Sequence, residues 1–132
     1  MTKRYLVQII EIDPIIEELV VLRVQGVIIR CFAGYCPSVI EEGRNYEAEF
    51  EMVLPDELDI TKAEHEEARI EMLEDGFSCD IYGYMDSDLF QSLIEFSDQD
   101  IHFEYPHLNG QFVKITAVRI DVSFSVPSNI RT

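Results

Sequence analysis

Apolar and polar residues alternate along much of this chain, and the points where the alternation slips carry as much information as the alternation itself. Tyr46, Ala48, Phe50, Met52 and Leu54 share one parity, while Glu47, Glu49 and Glu51 share the other. That pattern predicts a half-buried strand with a ladder of carboxylates on its open face. The preceding Ile40-Glu41-Glu42-Gly43-Arg44-Asn45 reads as a turn, with Gly43 free to take a positive φ. Two longer segments change parity midway. Val20, Leu22 and Val24 give way after Gly26 to Val27, Ile29, Cys31 and Ala33; Val113, Ile115 and Ala117 give way to Val118, Ile120, Val122 and Phe124. A flat strand keeps one buried face, so each switch requires a bulge or bend, at Gly26 and at the Ala117–Val118 step. Strands that bend from one sheet into another build small barrels and orthogonal sandwiches.

Shorter strands fill the rest. Tyr5 to Ile12 ends at the turn signal Asp13-Pro14, and Phe77 to Met85 follows Gly76. Phe90, Ile94 and Phe96 suggest another strand; Ile101, Phe103 and Tyr105 alternate before Pro106, and Asn109-Gly110 reads as a hairpin turn. One segment has helical spacing instead. Thr61-Lys62-Ala63-Glu64 fits a capping box, Ala63, Ile70 and Leu73 share a side, and Gly76 sits where a C-cap belongs. Glu64, Glu67, Glu71 and Glu74 would then form one acidic stripe. The fold class that follows is mainly β (α+β), a single domain over residues 1–132. It is expected to be a small antiparallel β-barrel or β-sandwich of roughly six to eight strongly bent strands, with one main α-helix at about residues 61–75.

Composition fits a folded body, because 47% of the residues are apolar, far more than a charge-solvated disordered chain carries. No apolar run approaches the ~20 residues of a membrane span, and the N-terminus lacks a signal-peptide pattern. Three cysteines, Cys31, Cys36 and Cys79, cannot all pair, which favours reduced thiols and a cytoplasmic setting. Charge changes the picture most. Between Glu41 and Glu104 lie 21 acidic residues against Arg44, Lys62 and Arg69, so the whole net charge of −16 arises in the middle of the chain. Concentrated like charge repels itself, which suits a folded protein with a cationic partner.

Candidate chemistry is sparse. His65, His102 and His107 lack the spacing of a metal site, and ordinary surface histidines explain them better. Cys31 and Cys36 have four residues between them, without a second pair; Cys31 reads as a small buried hydrophobe and Cys36, before Pro37, as more exposed. Asp86-Ser87-Asp88 and Asp98-Gln99-Asp100 lack the glycine and terminal glutamate of an EF-hand loop, and read as turn-shaping residues. No phosphate loop or nucleophile elbow occurs, and no carboxylate pair stands apart as catalytic. Ten scattered Lys and Arg argue against nucleic acid even on a barrel of oligonucleotide-binding architecture.

The reading is therefore a non-enzymatic, acidic protein-binding module with no cofactor, metal or membrane association. It would meet a basic protein partner through the ladder Glu47, Glu49 and Glu51, the stripe Glu64, Glu67, Glu71 and Glu74, and the face of Asp80, Tyr82, Tyr84 and Asp86. Small size and acidity give it the general profile of inhibitors and immunity proteins that occlude nuclease toxins or nucleic-acid-binding proteins. Steering by complementary charge would speed association, with Tyr82 and Tyr84 as anchors. The alternatives are a structural subunit whose acidity serves solubility, and a small-ligand binder or enzyme using the barrel interior.

Overall fold

A computed structural model describes residues 3–35, 40–74 and 76–125. Eleven strands are numbered in chain order: β1 (Tyr5–Ile12), β2 (Leu19–Val24), β3 (Val27–Tyr35), β4 (Asn45–Val53), β5 (Asp59–Lys62), β6 (Arg69–Met72), β7 (Cys79–Asp86), β8 (Leu89–Gln91), β9 (Glu95–Ser97), β10 (Phe112–Ala117) and β11 (Arg119–Phe124). One short helix, α1 (Gln99–Glu104), and a 3-10 turn at Pro106–Leu108 precede β10.

The fold is mainly β, with a closed five-stranded barrel in the order β1-β2-β3-β11-β4. β4, β1, β2 and β3 form a Greek key, and β11 closes the ring, antiparallel to β4 and parallel to β3. Residues 54–118 are inserted between the last two barrel strands and build a second sheet, in the order β5-β10-β7-β8-β9 with β6 also on β7. The buried residues of barrel and insert form one core. Val7, Ile9, Leu22, Ile29, Phe50, Ile120 and Val122 fill the barrel. Its interior is packed with side chains, so a ligand site belongs on the outside.

The parity switch at Ala117–Val118 is the bend that carries the chain from the second sheet (β10) into the barrel (β11). The switch at Gly26 has a different cause. Gln25 and Gly26 both have positive φ (52° and 79°), and Val24 pairs with Val27, so β2 and β3 are two strands joined by a two-residue turn. The β4 alternation holds as expected, with Gly43 at φ 86° in the turn before it.

The helix expected over residues 61–75 does not form. Those residues contain β5, a connection and β6, and Glu74 takes φ 53° in the turn toward β7. A helix there would bury only Ala63, Ile70 and Leu73 while stacking glutamates at repulsive spacing. As strands, the same residues place Ile60 against Ile115 and Ile70 against Ile81, one apolar row across four strands. Short helices take most of their stability from tertiary packing, and here packing favours strands. The strand expected over Ile101, Phe103 and Tyr105 is instead the site of α1. Asp98 caps it, its Oδ1 accepting from the Ile101 N–H at 3.0 Å. Ile101 and Leu108 are buried while Phe103 is 75% exposed, which defeats the alternation. Asn109-Gly110 follows the 3-10 turn: the Asn109 Oδ1 accepts from the Ser87 N–H at 2.6 Å and Gly110 takes φ 80°.

Candidate binding surfaces

Register on the second sheet sets up its outer face. β10 pairs β5 on one edge and β7 on the other, and β6 lies beyond β7, so Thr61, Lys114, Tyr82 and Arg69 stand side by side in one row. The next row on that face is Asp59, Thr116, Asp80 and Glu71. β7 alternates strictly: Cys79, Ile81, Gly83 and Met85 are buried, while Asp80, Tyr82, Tyr84 and Asp86 face outward, as the sequence implies. Glu71 comes from the supposed helical stripe, yet strand pairing brings it beside Asp80 and Tyr82.

Tyr82 is less free than an anchor would be. The Arg69 guanidinium lies over its ring at 4.1 Å, and its hydroxyl is 3.5 Å from Glu71 Oε1. Contact with Tyr82, and then the carboxylates of Glu71 and Glu67, raise the Arg69 pKa and keep it charged. Thr116 Oγ1 donates to Asp80 Oδ1 at 2.6 Å, and Tyr84 packs on Phe112 with ring centroids 5.5 Å apart. Above the Thr61–Arg69 row lies a pocket of about 290 Å³ whose wall includes Lys62, Arg69 and Lys114, with Glu64, His65 and Glu67 from the β5–β6 connection.

The other predicted residues lie elsewhere. Glu47, Glu49 and Glu51 form the expected ladder, but on the barrel. Arg4 reaches Glu49 at 3.4 Å, and Glu51 is paired with Asp121, which Arg119 holds at 2.7 Å. Barrel cations therefore offset part of this ladder. Glu74 contributes its backbone: its carbonyl and that of Gly76 accept from the Arg30 guanidinium, tying the β6–β7 turn to β3.

A further acidic feature escaped the sequence reading. Asp56, Asp98, Asp100 and Glu104 surround a groove of about 240 Å³ with Leu54, Leu58 and Ile101, and no Lys, Arg or His among the described residues lines it. The groove depends on α1, which sets Asp100 and Glu104 one turn apart on one face. Its sequence signal was Asp98 three residues before the apolar Ile101, a capping pattern masked by the apparent alternation. Among the described residues, no three His, Cys, Asp or Glu side chains gather as a metal-holding group. Asp98 serves as a cap and Asp86 opens the β7–β8 turn, consistent with turn-shaping roles.

The thiols Cys31 and Cys79 are buried and unbridged. Burial raises the pKa of Cys31 well above its ordinary value, with smaller contributions from Cys79 and Asp121. Burial and then Asp80 push Cys79 up to about 12. Cys36 lies outside the described residues. Among the described residues no helix is long and apolar enough to cross a membrane.

Over residues 3–125 the chain matches the family described as Uncharacterised conserved protein UCP019853. The chain belongs to that family. No curated protein and no solved structure matches it. The family spans the barrel and the whole insert, so both sheets belong to one matched unit.

Proposed function

We propose that this protein is a non-enzymatic binding module that receives a basic protein partner on its acidic surface, centred on the groove between residues 54–58 and α1. The groove is the observation that carries the reading. Four carboxylates surround the apolar Leu54, Leu58 and Ile101, no cation among the described residues lines the groove, and Phe103 projects from the same helix as a large exposed aromatic. Carboxylates spread around a groove suit Lys and Arg side chains, and an exposed aromatic on the same helix suits a desolvated contact that slows dissociation. Occlusion of a nuclease toxin or nucleic-acid-binding protein, as an inhibitor or immunity protein, is the form of the reading that fits a small acidic domain. Two buried, unbridged thiols suit a reducing cytoplasm. The barrel ladder Glu47, Glu49 and Glu51 would add long-range attraction, diminished by Arg4 and Arg119.

One observation favours the structural-subunit alternative. Leu6 is 68% exposed, and Ile10, Ile15, Ile16 and Ile28 are also large exposed apolar residues on β1, β3 and the β1–β2 connection. The two readings separate by experiment. A tagged chain is used to recover partners from its native host, and association rates are then measured across a salt series. The double variant Asp100→Lys/Glu104→Lys should slow association about tenfold at low salt and flatten its salt dependence. Phe103→Ala should act mainly on dissociation. Wild-type rates and salt slope in the double variant would transfer the lead to the subunit reading.

A further inference from the structure

Residues 54–118 contain 16 acidic residues and only three Lys or Arg, and all three line a single pocket. Lys62 comes from β5, Arg69 from β6 and Lys114 from β10, so three separate strands deliver these cations to one place. Gathering like charges is unfavourable unless counter-charges stand close. In so acidic a segment, the simplest explanation would be that the cations neutralise neighbouring carboxylates. The geometry does not follow that explanation. Arg69 alone has an acidic partner, Glu71 at 3.3 Å. Lys62 and Lys114 make no ion pair among the described residues, although Glu64 and Glu67 line the same pocket. The Arg69 Nε, the atom that faces Glu71, is shielded from solvent and makes no hydrogen bond beyond that ion contact. At about 290 Å³ the pocket is near the lower end, about 300 Å³, of the range for small-molecule sites.

We propose that this pocket binds a small oxyanion-bearing molecule, its phosphate or carboxylate group held by Lys62 and Lys114, with the Tyr82-stacked Arg69 guanidinium as the third positive wall. The proposal is independent of the acidic groove and its protein partner. Tyr82 fixes the guanidinium plane, and Thr61, beside Lys114 in the row, adds a hydroxyl for the anion's oxygens. Glu64 and Glu67 line the same pocket, and their charge disfavours large or highly charged anions.

The test titrates the full chain at low ionic strength with inorganic phosphate and, separately, with citrate, following heat and backbone amide shifts. The expected result is saturable binding of at least one probe below about 10 mM, with the largest amide shifts on β5, β6, β7 and β10. Saturation by phosphate alone assigns a phosphoryl group, and saturation by citrate alone assigns a carboxylate. Lys62→Gln and Lys114→Gln should each weaken binding about tenfold, as loss of a charge-assisted hydrogen bond does, and the double variant should abolish it. Arg23→Gln, on the barrel, should leave it unchanged. Lys62, at the end of the edge strand β5, is exposed and Lys114 is half-buried, and the circular dichroism spectrum of each variant checks that the fold persists. Failure of both probes to saturate, or equal binding by the folded double variant, overturns the proposal.

Discussion

The barrel and the inserted sheet distribute charge by different rules. The residues outside 54–118, which include every barrel strand, carry ten acids and seven Lys or Arg, and cations of the barrel region stand against acids: Arg4 on Glu49, Arg44 on Glu41, Arg119 on Asp121. The insert carries 16 acids and three cations, the cations collected in one pocket, with a groove elsewhere that no cation among the described residues lines. Surface ion pairs are worth ~0–1 kcal/mol, so the barrel's pairs mainly reduce repulsion. The insert leaves repulsion uncompensated over most of its surface and concentrates positive charge where a cavity opens. Net charge alone would have assigned both regions the same role. Their separation makes the insert the better place to look for ligands.

The comparison is sharpest if the two regions share one core yet differ in surface chemistry, and the largest expected effect tests the shared core. Leu22 in the barrel and Ile81 in the insert are both fully buried. Leu22→Ala and Ile81→Ala should each cost about 3 kcal/mol and lower one common unfolding transition. Urea unfolding followed by circular dichroism and by tyrosine fluorescence checks this; two separated transitions for Ile81→Ala would make the insert an independent unit. A smaller contrast lies in two glycines. A Cβ at Gly83 would stand 2.6 Å from the Gln91 carbonyl oxygen and 3.0 Å from the Phe90 ring, so Gly83→Ala should cost about 2 kcal/mol. Gly26 in the barrel turn has open space around it but φ 79°, and Gly26→Ala should cost about 1 kcal/mol, measured the same way.

Each region also holds one buried thiol, Cys31 in the barrel and Cys79 in the insert. Folding raises both pKa values, Cys79 to about 12, whereas an unfolded thiol ionises near 9.0. Native thiols therefore keep protons that the unfolded chain releases. Their contribution is fully present below pH 9 and is lost as pH rises toward 12. Unfolding free energy measured across that window should decline, and replacing Cys79 with Ala should flatten the decline. Neither thiol should react with a thiol reagent in the native state at neutral pH. The smallest effect is expected from the barrel ladder. Glu47→Gln with Glu51→Gln should change stability by less than about 0.5 kcal/mol, because both side chains are solvated.

Legibility in the sequence also divided between the two regions. The barrel strand β4 could be read almost residue by residue, because it has one buried and one open face and side chains alternate strictly, whereas β1, mixed in pattern, was legible only in its extent. The face of Asp80, Tyr82, Tyr84 and Asp86 was legible for the same reason. The insert misled at both ends of its charge distribution. Glu64, Glu67, Glu71 and Glu74 fit a capped helix locally, yet strand pairing separates them. Ile101, Phe103 and Tyr105 fit a strand, yet Asp98 caps a helix that leaves Phe103 in solvent.

The sequence by itself determined a mainly β domain, the bend at Ala117–Val118, the acid ladder, the concentration of acids in the middle and the buried character of Cys31 and Cys79. Each of these follows from local parity or composition, which long-range contacts do not alter. Only the tertiary structure decided that Lys62, Arg69 and Lys114 share a pocket, that Asp56 joins Asp98, Asp100 and Glu104 at a groove, and that residues 61–74 hold the end of β5, a connection and β6 in place of a helix. Each of those depends on partners far away in the chain: β10 for β5, β7 for β6, and the 54–58 turn for α1. Burial of Ile60, Ile70, Ile81 and Ile115 in one row depends on those partners too, and local helix propensity cannot compete with it.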